Sequence, residues 1–530
     1  MAIITTASTV TFTANAACPV AELNGPYTHT WTFTDGTGAT SGSPVTHQFS
    51  TSGDKTATVT TINTATGSSK SASATVHVFN FVAGAQYSST NDRYAGGTLV
   101  KLPSGKVLIV GSYEGPKCKT FDPSTNTFSN VPDLPNRGAS TASYGIGACL
   151  LKDGTDRVFA CGGNSGLAPA FYSETTNTWT AITGTTAASG TAMASGNPGN
   201  QTTCLALPNG KVFITGSGSG GNTPTAWIYD PVTNSTVEVG GGLRYVVTGP
   251  PAYDYVMEQA NLPRADGNNA NMLWAVYSPR ALLLRDGSVL WWSPYLASTG
   301  SLPVYRLKLG ETKWPCLYGP GPASPGSYTY TGGLTTRART ITKVPGGSAS
   351  YPAALINLGS INPADMVAVE LTDGKVLFGL GINAQNSAAN RAIAVYDAPA
   401  QAFWDEGVAS ASGTADAGRS QYWDTAVVTA KTSAPAGYDA SRGGMGVLVE
   451  GIVIVFGSTS AKVFAYDPAG DAWTQITNAP STPDGGPTGW TGGGKQSDFD
   501  NLKYVKGSGY AKIVGVSPGL NTARIWTYNV

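Results

Sequence analysis

The residue types that most often carry acid–base and metal chemistry are scarce in this chain. It has three histidines, His29, His47 and His77, and all precede residue 81. Imidazole is the usual general base and a common metal ligand near neutral pH. Residues 81–530 therefore have neither a histidine general base nor an imidazole metal site. The six cysteines, Cys18, Cys118, Cys149, Cys161, Cys204 and Cys316, form no Cys-x-x-Cys pair. That spacing suits neither a zinc module nor a disulfide framework. Cys149 and Cys161 fall where adjacent strands would carry them, and free buried thiols are the expected state. Asp405-Glu406 follows Trp404 and reads as solvated turn charge. No nucleophile elbow, P-loop or dinucleotide fingerprint is present. Gly216–Gly221 runs into Thr223-Pro224 and not into a helix, so it makes no phosphate cradle. No catalytic residue, cofactor or metal site is expected.

What the sequence does offer is a recurrence of its few charges. Only 12% of residues are charged, 32 basic against 32 acidic. Asp92-Arg93-Tyr94, Arg137, Asn200-Gln201, Arg280, Asp365, Arg419 with Tyr422-Trp423-Asp424, and Asp498 with Asp500 each stand before an apolar strand. Arg93, Arg137, Arg280, Asp365, Arg419, Trp423 and Asp424 are the candidate ligand-binding residues. Two readings stay open for them: a polar mouth that takes a ligand, or side chains that satisfy backbone groups. Two long inserts carry aromatics beside charges. One, at 239–277, holds Arg244, Tyr245, Tyr253 and Trp274; the other, at 317–350, holds Tyr318, Tyr328, Tyr330 and Arg337. Such platforms suit sugar rings, and equally a protein interface.

The elements that position these residues repeat. A short phrase recurs at Phe121-Asp122-Pro123, Phe171-Tyr172-Ser173, Tyr229-Asp230-Pro231, Tyr396-Asp397-Ala398 and Tyr466-Asp467-Pro468. In most copies an aromatic comes a few residues later, as at Phe128, Trp179, Phe403-Trp404 and Trp473. Seven apolar strands accompany these phrases, beginning at Lys106, Arg157, Lys211, Ser288, Lys375, Ile452 and Ala511. Turns such as Pro103-Ser104-Gly105, Pro208-Asn209-Gly210, Arg285-Asp286-Gly287 and Thr372-Asp373-Gly374 introduce four of them. Each unit is four antiparallel strands, and a repeated unit of that kind is a propeller blade. The last unit has only three strands, so Phe79–Tyr87 is expected to supply its outer strand and leave no open sheet edge.

This pattern resembles the kelch-type and galactose-oxidase-type β-propellers over roughly residues 81–530, with uneven spacing between copies. Galactose oxidase needs two histidine copper ligands, which this region lacks, so that activity is excluded. Residues 1–80 differ. Trp31-Thr32-Phe33-Thr34-Asp35-Gly36, Pro44-Val45-Thr46-His47-Gln48-Phe49 and Gly53-Asp54-Lys55-Thr56 resemble the PKD-type immunoglobulin-like domain. Trp31 and Phe33 share one strand face and build its core, Asp35-Gly36 turns the chain, and His47 is a structural residue. Ser481–Trp490 is similar to a sialidase Asp-box with two extra residues, and reads better as a Pro/Gly-rich loop.

The expected fold is all-β: an N-terminal immunoglobulin-like (PKD-type) sandwich over 1–80 and a seven-bladed kelch-like β-propeller over 81–530. Zero net charge gives no basic stripe for nucleic acid. No run of 18 apolar residues is present, so no membrane span is expected. The N-terminus has no basic stretch or long apolar stretch, so no ordinary secretory signal is expected. The function these features suggest is non-enzymatic. It is that of a bacteriophage virion protein, in the tail or on the particle surface, docked through residues 1–80 and displaying a propeller to host glycans or to other subunits, with an oligomeric state to match. The alternatives are a bacterial surface or secreted adhesin, and a polysaccharide-degrading enzyme with a histidine-free site.

Overall fold

The structure, a computed structural model, describes residues 2–5, 9–14, 26–36, 40–79, 82–87, 97–112, 115–135, 146–162, 169–183, 186–187, 202–217, 224–238, 280–292, 304–307, 316–318, 327–331, 338–342, 361–362, 367–380, 382–383, 391–397, 428–438, 445–456, 463–476, 502–516 and 525–529. Every element among them is a β-strand.

Seven strands build the N-terminal unit: β1 (Ala2–Thr5), β2 (Thr9–Phe12), β3 (Tyr27–Phe33), β4 (Thr40–Ser41), β5 (Val45–Gln48), β6 (Gly53–Asn63) and β7 (Ser69–Phe79). They form a sheet in the order β1-β7-β6-β3-β4 and a ribbon of β2 with β5. Strand alternation sends every second side chain of β3 inward. Trp31 and Phe33 are buried with Phe12, Val45, Phe49, Ala57, Val59, Val76 and Val78. His47 stacks on Phe33 with ring centroids 3.7 Å apart, and its Nε2 lies 3.0 Å from Asp35 Oδ2.

Beyond it, the described residues form repeated sheets. The first is β9 (Thr98–Lys101), β10 (Val107–Ser112), β11 (Gly115–Asp122) and β12 (Thr127–Val131). The second is β13 (Ile146–Leu150), β14 (Arg157–Gly162), β15 (Ala170–Ser173) and β16 (Thr178–Ala181). The third is β18 (Thr203–Ala206), β19 (Val212–Ser217), β20 (Pro224–Asp230) and β21 (Ser235–Glu238), to which β17 (Thr186–Ala187) adds in parallel. The fourth is β22 (Arg280–Leu283), β23 (Val289–Trp292), β24 (Val304–Leu307) and β25 (Cys316–Tyr318). After it come the hairpin β26 (Ser327–Thr331) and β27 (Ala338–Thr342), then β28 (Ile361–Asn362).

The fifth sheet is β29 (Val367–Glu370), β30 (Val376–Gly379), β32 (Ile393–Tyr396) and β33 (Val428–Lys431), with β31 (Ile382–Asn383) paired to β28. The sixth is β34 (Met445–Val449), β35 (Ile452–Phe456), β36 (Val463–Asp467) and β37 (Ala472–Ile476). The seventh has β38 (Leu502–Gly507), β39 (Tyr510–Val516) and β40 (Ile525–Asn529), and its fourth strand is β8 (Val82–Tyr87). The expected return of the 79–87 segment is thus observed: β8 pairs antiparallel with β40.

The core lies between successive sheets, which explains the unbroken apolar second strands. Val107, Leu108, Ile109 and Val110 are all fully buried. Val107 and Ile109 face Val505, Val514 and Val516 of the seventh sheet. Leu108 and Val110 face Ile146, Ala148 and Val158 of the second. A strand covered on both faces has no polar side, so its sequence does not alternate. The glycine that ends such a strand has a reason of its own at Gly162. Its φ is +83°, and a Cβ there would meet Thr202 of the next sheet.

One strand differs from expectation. The phrase at Tyr396 led to Phe403-Trp404 as the start of a fourth strand, yet β32 pairs with β33, which begins at Val428. Phe403 and Trp404 lie outside the described residues. An aromatic after a turn is a local signal, whereas the strand that takes the outer place is chosen by pairing.

Candidate functional site

The first strands of the sheets set the geometry. β9 lies against β13, β13 against β18, β18 against β22, β29 against β34, β34 against β38, and β38 against β9. Their starting residues sit together. The Thr98 hydroxyl donates to the Ile146 carbonyl, a Cβ on Gly147 would meet Cys204 and Thr202, and one on Gly446 would meet Val367. The turns after the first strands also sit together, at the other end. Gly105 is beside Tyr510, Gly210 beside Asp153, Gly287 beside Pro208 and Gly451 beside Thr372. Arg285 bridges the fourth sheet to the fifth, its backbone N–H donating to Glu370 Oε1 at 2.9 Å and its guanidinium to the Thr372 carbonyl. The first strands therefore start at one end of the array.

That end is the candidate site. Arg280 is the first residue of β22. Arg93, Arg137 and Asp365 belong in sequence to the segments leading into β9, β13 and β29, and lie outside the described residues. Arg419, Trp423 and Asp424 also lie outside them, and their expected position is corrected. They fall between β32 and β33, in the connection from third to fourth strand of the fifth sheet. The segment that leads into β34 is instead 439–444. The reason is the displaced outer strand: with β33 at Val428, the preceding stretch cannot also feed the sixth sheet.

The described rim adds residues that charge counting missed. Thr98, Thr202 and Thr203 are buried at the starts of β9 and β18. A threonine opening an apolar strand was their signal.

The opposite end is occupied by paired charges. Lys211 Nζ is 3.1 Å from Asp230 Oδ2, Lys375 Nζ is 3.1 Å from Asp373 and 3.7 Å from Asp397, and Lys506 Nζ is 3.0 Å from Glu450. Burial works to raise the Asp230 carboxyl, but the Val232 N–H and Lys211 hold it below the ordinary aspartate range. For Asp122 the Ser124 hydroxyl leads the same downward shift. Glu370 goes the other way, pushed up by burial against the opposing pull of Arg285. These groups fix turns to one another.

The recurring aromatic phrase belongs to that end too, and the residue five places after its tyrosine matters. Tyr172, Tyr229 and Tyr466 each donate their hydroxyl five residues on, to Asn177 at 3.0 Å, Asn234 at 3.2 Å and Asp471 at 2.8 Å. These acceptors, with Asn126, have φ between 47° and 61°, a conformation that Asn and Asp tolerate best among non-glycine residues. Three of the four also reach the outer strand of the preceding sheet or the residues just beyond it. Asn126 Oδ1 accepts from Ala85 N–H at 3.4 Å, Asn234 donates to the Thr183 carbonyl at 3.0 Å, and Asp471 accepts from Thr432 N–H at 3.0 Å.

Among the described residues, no three His, Cys, Asp or Glu side chains gather as metal ligands would. No helix among them is long and apolar enough to cross a membrane.

Comparison with known proteins gave one family match, the PKD domain, over residues 1–78. No curated protein matched. Several solved structures are similar in outline. The polysaccharide lyase Uly1 is 5% identical with a TM-score of 0.42, covering 84% of this chain and 99% of that one. An oligogalacturonate lyase in complex with manganese is 10% identical with a TM-score of 0.41, covering 85% and 97%. The β-propeller domain of the Trilobed protease from Pyrococcus furiosus, described as having an open velcro topology, is 9% identical with a TM-score of 0.30, covering 80% and 89%. Likenesses this distant transfer neither activity nor substrate. Residues 1–78 match the PKD domain family, and beyond them every element among the described residues is a β-strand, most of them in four-stranded sheets.

Proposed function

We propose that this chain is a surface-exposed binding protein. In this reading the seven sheets are blades of a kelch-like β-propeller closed through β8, and the end from which the first-strand segments leave is its ligand face. The single observation that carries the reading is the convergence of first-strand starts at that end: Thr98 on Ile146, Gly147 on Cys204, and Gly446 on Val367. In sequence, Arg93, Arg137 and Asp365 precede strands that start there and Arg280 opens one, in a chain where only 12% of residues are charged. Cell-surface glycans are the ligand class that suits arginines and carboxylates beside aromatic inserts, since sugars offer apolar faces edged by hydroxyls. The finer reading is a bacteriophage virion protein, with the PKD domain joining the display unit to other particle proteins.

The test is binding of the purified protein to a glycan array and to intact bacterial cells. Arg280→Ala is expected to lower binding about tenfold or more with an unchanged unfolding midpoint. Wild-type protein that binds neither, or an Arg280→Ala variant that binds as well as wild type, would sink the glycan face. Shortening of a polysaccharide chain by the wild-type protein would instead favour the enzymatic alternative. Deleting residues 1–78, which keeps Phe79 and β8, is expected to abolish particle incorporation and leave ligand binding intact.

A further inference from the structure

Two buried thiols meet across the seam between the second and third sheets. Cys161 Sγ on β14 and Cys204 Sγ on β18 are 3.4 Å apart, and the residues are 1% and 2% exposed. Both are free. The backbone is arranged to let them meet. Cys161 pairs in register with Gly147 on β13, and a Cβ on Gly147 would lie 2.7 Å from Cys204 Sγ. Any larger residue there would push β18 away. Cys149, on the strand beside Cys161, pairs in register with Phe159.

We propose that Cys161 and Cys204 are an oxidative modification site, converted by a peroxide to a disulfide that joins the second and third sheets. Hydrogen peroxide is among the smallest disulfide-forming oxidants and so is suited to thiols that are almost fully buried. One thiolate attacks a peroxide oxygen; the O–O bond breaks, hydroxide leaves, and a sulfenic acid forms. The second thiolate attacks that sulfur, the S–S bond forms, and the S–O bond breaks with loss of hydroxide. The two thiol protons and the two hydroxides give two waters, and the two electrons lost by sulfur reduce the peroxide. The bridge closes a long chain segment, since the two cysteines are 43 residues apart in sequence, and so restricts the unfolded state.

The test treats the folded full-length chain with equimolar hydrogen peroxide, then unfolds it, alkylates it and maps peptides without reductant. The expected result is two fewer alkylatable thiols than the six in the sequence, and one linked peptide pair holding Cys161 and Cys204. Cys149→Ser is expected to leave that link in place, and Cys161→Ser to abolish it while Cys204 stays alkylatable or becomes a sulfenic acid. A link through Cys149 or any other cysteine overturns the proposal. So does a wild-type protein whose thiols all stay alkylatable, or one oxidised singly without a bridge.

Discussion

Lys512 Nζ donates to Asn126 Oδ1 at 3.0 Å across 386 positions of sequence. The bond joins β39 of the seventh sheet to the turn between β11 and β12 of the first. Asn126 can take it because of a single difference in the repeat. In the second, third and sixth sheets a tyrosine hydroxyl occupies the equivalent side chain, but the first sheet has Phe121 at that place. The Asn126 oxygen is thereby left to Lys512 and to the Ala85 N–H. Lys512 is only 7% exposed, and desolvation holds its ammonium below the ordinary lysine range.

Asn126→Ala removes an acceptor from this buried ammonium and from a backbone N–H, and should cost about 1–3 kcal/mol in denaturant unfolding. Lys512→Met should cost less, because an apolar replacement avoids burying charge. The double variant should be less destabilised than the sum of the two. Additive losses would mean that the bond contributes nothing.

The tyrosine latches give a graded series. Tyr172→Phe and Tyr229→Phe lose a neutral acceptor bond and should each cost about 0.5–1.5 kcal/mol, whereas Tyr466→Phe loses a carboxylate acceptor and should cost about 1.5–3 kcal/mol. Burial raises Tyr172 and Tyr229 to about 12. A group whose folded value is raised contributes fully below its unfolded value and loses that contribution as pH rises. Wild-type stability should therefore decline from about pH 10 upward, and the double Phe variant should decline less steeply. Equal slopes in urea titrations at about pH 9 and about pH 11, either side of the ordinary tyrosine value, would contradict this.

Phe79 ends β7, one residue beyond the PKD match, and is fully buried against Val449, Ile452, Leu502 and Ile513 of the sixth and seventh sheets. Phe79→Ala should destabilise this seam by about 3–5 kcal/mol. It should also speed limited proteolysis between residues 79 and 82, while tryptophan emission from Trp31 stays native. Unchanged proteolysis would show that the two units are joined by other contacts.

Much of the array was legible because its signals are local. Val107-Leu108-Ile109-Val110 is apolar without alternation because both faces are covered, and Pro103-Ser104-Gly105 turns the chain wherever it is placed. Trp31, Phe33 and Asp35-Gly36 likewise marked the PKD core and turn from short-range pattern alone. Of the candidate site, the sequence could show that Arg93, Arg137, Arg280 and Asp365 precede apolar strands. It could not show that those strands start side by side.

Pairing was decided only by the tertiary structure. Val428, and not Trp404, opens the outer partner of β32, and this moved Arg419, Trp423 and Asp424 to another connection. Asn126 looks like its counterparts in sequence, but Phe121 in place of tyrosine frees it for Lys512. Cys161 lies against Cys204 of the next sheet, a contact that packing between facing sheets creates and that no hairpin register contains. Composition and period fix which residues must be strands and turns. Which strand lies beside which depends on burying both faces of every sheet at once, a condition that no local stretch of sequence contains.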